Sequence, residues 1–147
     1  MARYQHILLA VDFFEQDEVV IERAQELAAV YQAKLSVIHV VDNIPIVDTG
    51  YGGEMPFQID FTNQLVDIAK AKLAKLAEKL AIAKDQVWLE LGSAKLEIIR
   101  VAEEQSVDLI VVGSHGRHGL SLLLGSTANS ILHHAKCDVL AVRLPTG

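Results

Sequence analysis

The sequence predicts an α/β fold: a single, doubly wound, open five-stranded parallel sheet with helices on both faces. Three observations carry that expectation. Apolar residues make up 51% of the chain and aromatics only 5%, so the core is mainly Ala, Val, Ile and Leu. That composition suits a parallel sheet covered by helices better than a β-sandwich. Short branched apolar runs alternate with longer runs at helical period, in the order β-α-β-α-β-α-β-α-β, which right-handed crossovers close into a parallel sheet. At 147 residues, with no internal repeat or linker, the chain reads as one domain spanning 1–147.

The first strand is Tyr4 to Val11 (YQHILLAV), ending at Asp12. A helix from about Asp17 to Tyr31 follows, with Val20, Ala24, Leu27, Ala28 and Tyr31 on one face. Leu35 to Val41 (LSVIHVV) is the second strand, closed by Asp42, and His39 within it reads as a packed core residue. Asn43 to Pro56 holds two prolines with Gly50, Gly52 and Gly53, and reads as a loop with hinge character. The long helix from Gln58 to Leu80 turns Leu65, Ile68, Ala69, Leu73, Leu76 and Leu80 inward and a Lys-rich face outward. Val87 to Leu91 is the third strand, and Gly92-Ser93 leads into a helix through Leu96, Ile99 and Ala102. Val107 to Val112 is the fourth strand. The last helix runs from Thr127 to about Ala135, with Ala128, Ile131, Leu132 and Ala135 inward, before a final strand from Asp138 to Leu144.

Charge and cysteine content narrow the function classes. A net charge of −6 argues against a non-specific nucleic-acid surface, although Arg117 and the histidines around it would make a local basic pocket. The single cysteine, Cys137, excludes an internal disulfide and fits a reducing compartment. The opening MARYQHILLAVD lacks a signal-peptide pattern, and no apolar run approaches a membrane span. A soluble, cytoplasmic protein with neither nucleic acid nor membrane as partner is the expectation.

Chemistry concentrates after the fourth strand. Leu109, Ile110, Val111 and Val112 stop at Gly113, a loop rich in glycine, hydroxyl and basic residues follows, and Gly125-Ser126-Thr127 opens a helix. Glycines let backbone N–H groups approach closely, and a first helical turn carries unpaired donors and partial positive charge, which suits an anion. A plain tight connection between strand and helix is the alternative reading of the same residues.

Several doubly wound folds share five strands, so site residues must discriminate. The third strand ends in Glu90-Leu91-Gly92-Ser93, without the phosphoacceptor Asp of a receiver domain. Asp12-Phe13-Phe14-Glu15 is unlike a flavodoxin phosphate loop, and neither GxxxxGK[ST] nor GxGxxG is present where it would be needed. By contrast HILLAVD (His6–Asp12), LSVIHVVD (Leu35–Asp42), DLIVVGSHGRHG (Asp108–Gly119), LGST (Leu124–Thr127) and CDVLAVRL (Cys137–Leu144) resemble the universal stress protein family, in the same order and over nearly the whole chain.

The resemblance implies a sheet in the order 3-2-1-4-5, related to other adenine-nucleotide-binding α/β folds, with its crevice where the first and fourth strands meet. It also implies an adenine nucleotide, ATP or a relative, with or without Mg²⁺. Asp12 would accept hydrogen bonds from the adenosine and Val40 would line the adenine slot, with Ala10, Val11 and Val112 also among the nucleotide-binding residues. Gly113, Gly116, Gly125, Ser126 and Thr127 would wrap the phosphates, and His115 and Arg117 would screen their charge. ATP-binding members carry Gly-x2-Gly-x9-Gly-Ser/Thr, whereas eight residues separate Gly116 from Gly125 here. That shortening, and Phe13-Phe14 after Asp12, favour an alternative: a dimeric stress protein that binds no nucleotide and acts through protein partners. Family members pair their last strands, so the resemblance implies a homodimer through Val139 to Leu144.

Other constellations are weaker. His133 and Cys137 stand four apart near a helix end, but two local ligands fall short of a zinc site, and a helix C-terminus favours histidine in any case. Cys137 has no cationic neighbour and reads as buried rather than reactive. Ser114 and His115 are adjacent, which alone makes no nucleophile–base pair. A regulatory binding protein is the expectation, with slow ATP hydrolysis the weakest reading.

Overall fold

The computed structural model describes residues 4–13, 17–42, 56–114 and 125–143, with residues 42 and 56–62 described by their backbone. Five strands, β1 (His6–Ala10), β2 (Lys34–Asp42), β3 (Val87–Gly92), β4 (Leu109–Gly113) and β5 (Asp138–Val142), form one sheet in the order β3-β2-β1-β4-β5. All four ladders are parallel. The helices are α1 (Asp17–Tyr31), α2 (Pro56–Leu80), α3 (Ala94–Glu104) and α4 (Ser126–His134), with a 3₁₀ turn at Lys84–Gln86 before β3.

Strand alternation explains why the sheet is buried on both faces. Ile7, Leu9, Val37, Leu109 and Val111 point into one core with Val20 and Ala24 of α1 and Leu73 and Leu76 of α2. Their neighbours Leu8, Ile38, Val40, Ile110 and Val112 point into a second, with Ile98 and Val101 of α3 and Ala128 and Ile131 of α4. Period-2 side chains with both faces covered produce the continuous apolar strands seen in the sequence.

Element boundaries differ from the sequence expectation for local reasons. β1 starts at His6, where its ladder with β2 begins opposite Lys34, while Gln5 before it gives its N–H to Oδ2 of Asp108 at 2.8 Å. β4 starts at Leu109, because the Val107 N–H bonds back to the Ala102 carbonyl and belongs to the end of α3. α2 starts at Pro56, as suits a residue that lacks an N–H in a first turn. Two expected inward residues face solvent: Ile68 is 53% exposed and Leu132 44%. The buried stripes of these helices are narrower than the apolar ones.

α1, α2 and α3 end alike. Gln32, Ala81 and Ser106 adopt positive φ, and the next residues, Ala33, Ile82 and Val107, give their N–H to Ala28, Ala77 and Ala102. This is the Schellman arrangement, made here with non-glycine residues.

At the amino end of the sheet the polar groups pair with one another. Asp108 receives the N–H groups of Gln5 and His6 at 2.8 and 3.1 Å. Buried His6 reaches the Gln105 carbonyl through Nδ1 at 3.2 Å and Ser36 Oγ through Nε2 at 2.6 Å, and Ser36 lies 2.7 Å from Gln86 Oε1.

Candidate functional site

The carboxyl ends of the central strands β1 and β4 face a crevice where chain connectivity departs in opposite directions, to α1 from one and to α4 from the other. Ile7, Leu8 and Leu9 pair with Leu109, Ile110 and Val111, and the same register carried forward sets Val11 level with Gly113. Ala10, Val11 and Asp12 thus come beside Val112 and Gly113. Open α/β sheets bind ligands at such switch points.

On the β1 side, the Val11 N–H donates to the Ile38 carbonyl at 3.0 Å, and the chain then leaves the sheet. Phe13 turns it with φ 62, in the left-handed region that a bulky residue rarely adopts. Asp17, the first residue of α1, fills the resulting turn. Its Oδ2 accepts the N–H groups of Phe13 and Asp12 at 2.7 and 3.2 Å. Successive N–H groups converging on one oxygen form a nest for an anion, and here the protein supplies its own. Burial, and then the charge and hydrogen bond of Asp12, push the Asp17 carboxyl up to about 7. Asp12 itself is exposed at the crevice.

β2 closes the same turn from the other side. His39 Nδ1 lies 2.8 Å from the Val11 carbonyl, so that nitrogen carries a proton. The His39 ring packs on Phe13 with centroids 4.7 Å apart, and Lys72 Nζ of α2 stands 5.6 Å from the Phe13 centroid. The expectation of a core histidine is modified: His39 is half-buried and its hydrogen bond ties the end of β1 to β2. Val40 is buried and points into the second core, two residues beyond the paired Ala10 and Ile38.

On the β4 side, Ser114 gives its N–H to Val142 of β5 at 2.8 Å and accepts the Gly125 N–H at 2.6 Å. The two ends of the 115–124 stretch are therefore tied together, which brings Gly125, Ser126 and Thr127 to the end of β4. Gly125 is the extended N-cap of α4 and contributes no side-chain cap. The first bond into the helix is Asn129 N–H to the Gly125 carbonyl at 2.9 Å, so the N–H groups of Ser126, Thr127 and Ala128 have no partner within the helix. Ser114 Oγ is buried with no hydrogen-bond partner, a state shared among the described residues only by Trp88 Nε1. A buried orphan hydroxyl costs about 1–3 kcal/mol unless something binds it.

Of the residues singled out in the sequence, the structure gathers Ala10, Val11, Asp12, Val112, Gly113, Gly125, Ser126 and Thr127 at one end of the two central strands, with Val40 beneath them on β2. His115, Gly116 and Arg117 lie outside the described residues, as do Phe14, the 43–55 stretch of the proposed hinge loop and Leu144 of the proposed dimer strand. Asp17 and Ser114 were not singled out as site residues. Asp17 reads as an ordinary acidic helix start, and only the left-handed Phe13 turn brings it back to β1. Ser114 carried a usable signal, being a hydroxyl residue directly after a buried strand.

Elsewhere, His133 and His134 are exposed at the end of α4. Cys137 is half-buried, and burial raises its thiol pKa above the ordinary value, so it holds little thiolate.

Fold and strand order together define a doubly wound α/β protein whose switch point lies between β1 and β4, with the N-terminus of α4, which has no side-chain cap, on one side and Asp12 on the other. The chain belongs to the universal stress protein family, whose model matches residues 3–143. It is 42% identical over 145 residues to universal stress protein A homolog 2 of Coxiella burnetii, covering 98% of each chain. The solved structure of the hypothetical protein MJ0577 superposes with a TM-score of 0.82 at 26% identity, covering 98% of this chain and 99% of that one. A universal stress protein solved in complex with cAMP has a TM-score of 0.61 at 22% identity, over 95% and 97% of the two chains, a likeness of fold. Among the described residues, no helix is long and apolar enough to cross a membrane.

Proposed function

We propose that this protein is a cytoplasmic stress-response module that binds ATP or a related adenine nucleotide as a regulatory ligand and turns over no substrate. The observation that carries this reading is the orphan Ser114 hydroxyl beside the N-terminus of α4, whose N-cap glycine gives no side-chain cap. N–H groups left over by the first turn of a helix, at its positive end and at a topological switch point, suit a phosphate group. Asp12 would accept hydrogen bonds from the adenosine, with Ala10, Val11, Val40 and Val112 around it. Gly113, Gly116, Gly125, Ser126 and Thr127 would hold the phosphates, His115 and Arg117 would offset their charge, and Mg²⁺ would enter with the nucleotide.

Calorimetric titration with ATP and Mg²⁺, repeated with AMP and cAMP and on Gly116→Val, tests the reading. Micromolar binding by the wild type that Gly116→Val abolishes supports it. Absence of binding by a folded wild-type protein overturns it.

The second reading is a dimeric interaction module without nucleotide. The Phe13 ring, held against His39 where the β1 and β2 ends would receive an adenosine, favours it. In both readings β5, which ends the sheet next to β4, pairs with the β5 of a second copy through Val139 to Leu144. Sedimentation showing a monomer at micromolar concentration would remove the dimer from either.

A further inference from the structure

His6, Ser36 and Gln86 form a buried chain at the amino end of the sheet, and the donor and acceptor rules allow it only two complete arrangements. His6 Nε2 is 2.6 Å from Ser36 Oγ, His6 Nδ1 is 3.2 Å from the Gln105 carbonyl, and Ser36 Oγ is 2.7 Å from Gln86 Oε1. A carbonyl oxygen only accepts, so Nδ1 must carry a proton in either arrangement. With Gln86 Oε1 facing Ser36, the serine hydroxyl must donate to it. Ser36 can then only accept from His6, so Nε2 must carry a proton too, and the imidazole is a cation. A neutral His6 leaves Nε2 as an acceptor, which requires the Ser36 hydroxyl to point toward it. Gln86 must then present its NH₂ group to the serine oxygen.

The surroundings set the balance between the two. His6 is buried, and burial lowers its pKa from the ordinary value against a smaller raising effect of the Gln105 carbonyl. Lys34 of β2 disfavours the cation, and Asp108, just before β4, favours it. These are the charges that act on the ring from the strands packed beside it.

We infer that His6, Ser36 and Gln86 are an acid-driven relay: one proton taken up at His6 Nε2 reverses the Ser36 hydroxyl and turns the Gln86 side-chain amide by half a turn. No bond between the Gln105 carbonyl and the Gln86 side chain is left unmade in either state, so the relay exchanges two complete arrangements of the same chain. It links β1, β2, the end of α3 and the 3₁₀ turn that enters β3. The state of the His6 ring is thereby transmitted to Gln86, across a separation of 80 positions in the chain.

Long-range ¹H–¹⁵N NMR of the ring nitrogens tests this directly, with the side-chain amide of Gln86 followed in the same pH titration. The expected result is a neutral His6 protonated on Nδ1, a midpoint below the ordinary histidine value, and a Gln86 amide shift with that same midpoint. Gln86→Glu offers Ser36 only acceptors, so it should hold the cationic arrangement and raise the proton affinity of His6 roughly tenfold or more. Gln86→Met removes the acceptor and should lower that affinity below wild type. A neutral ring protonated on Nε2 would overturn the relay. So would a Gln86 amide signal that stays constant while His6 titrates, or equal His6 midpoints in all three proteins.

Discussion

The two ends of the central strands contain similar chemistry and use it in opposite ways. At the amino end, His6, Ser36, Gln86, Gln105 and Asp108 bond to one another and to backbone N–H groups. At the carboxyl end, Ser114 Oγ has no partner among the described residues, α4 has no side-chain cap, and Phe13 stands at positive φ. Asp17 shares one hydrogen bond with a second carboxyl group there. Buried polar groups are stabilising when fully satisfied and costly when not. One end of this sheet is therefore organised for stability, and the other retains, among the described residues, an unsatisfied hydroxyl of the kind a ligand would complete.

Removing a side chain from the satisfied end gives the largest expected loss. His6→Ala opens a cavity beside Leu8 and Ile38 and strips Ser36 of one of its two partners, at a cost of about 3–4 kcal/mol in urea unfolding. Nucleotide affinity, measured on the folded fraction, should not change. A loss of affinity equal to that of a crevice variant would erase the division between the two ends.

Asp17→Asn comes next and carries a pH signature. The Asp17 carboxyl titrates at about 7 in the folded protein against an ordinary value of 3.8. The unfolded chain therefore releases this proton first, and the stability that Asp17 contributes is fully present below about pH 4 and lost as pH rises toward 7. The substituted amide is neutral throughout and keeps an oxygen for the two N–H groups. The variant should be about 2–3 kcal/mol more stable than wild type at pH 8 and equal to it at pH 4. The depressed pKa of His6 acts in the opposite sense, lowering stability as pH falls below its unfolded value of 6.5. In the Asp17→Asn background, that acid limb should stand alone in a pH series of thermal melts.

This contrast also divides what the sequence discloses from what it does not. The parallel sheet, its order and the bounds of α1 follow from alternation of apolar runs and from the family resemblance, because burial on both faces leaves its mark on every strand residue. The gathering of Asp12, Gly113 and Gly125 is legible for the same reason, since strand ends are fixed by the order of the sheet. Asp17 was not, because its partner depends on a left-handed Phe13 that sequence preferences argue against. Ile68 and Leu132 were misplaced because periodicity locates an apolar stripe without giving the width that neighbouring elements cover. The pairing of His6 with Ser36 and Gln86 joins residues 30 and 50 positions apart and leaves no periodic trace.

Ser114→Ala separates the ends more finely. Deleting an orphan hydroxyl removes an unsatisfied group, so stability should stay constant or rise by about 1 kcal/mol. If the hydroxyl meets a phosphate, ATP affinity should fall roughly fivefold in the calorimeter. Ser36→Ala is the matched control. It deletes a hydroxyl of equal size from the satisfied end, so it should destabilise the protein and leave ATP binding unchanged.

The smallest effect concerns backbone strain, which both ends possess. Ala81 takes positive φ at the end of α2 within a completed Schellman motif, so a glycine there relieves the Cβ clash and disturbs no bond. Ala81→Gly should therefore gain up to about 0.5–1 kcal/mol, offset in part by the freer unfolded chain. Phe13 has the same backbone conformation at the crevice, but its ring packs on His39 and against the core beneath α1 and α2. Phe13→Gly relieves equal strain and loses that packing, so it should be destabilising on balance. Strain at Ala81 has no compensation beyond the bonds that close the helix, whereas strain at Phe13 places an aromatic ring and two N–H groups where Asp12 and Asp17 meet. If Phe13→Gly were as stabilising as Ala81→Gly, the ring would contribute nothing to the turn, and the second reading of the crevice would lose its support.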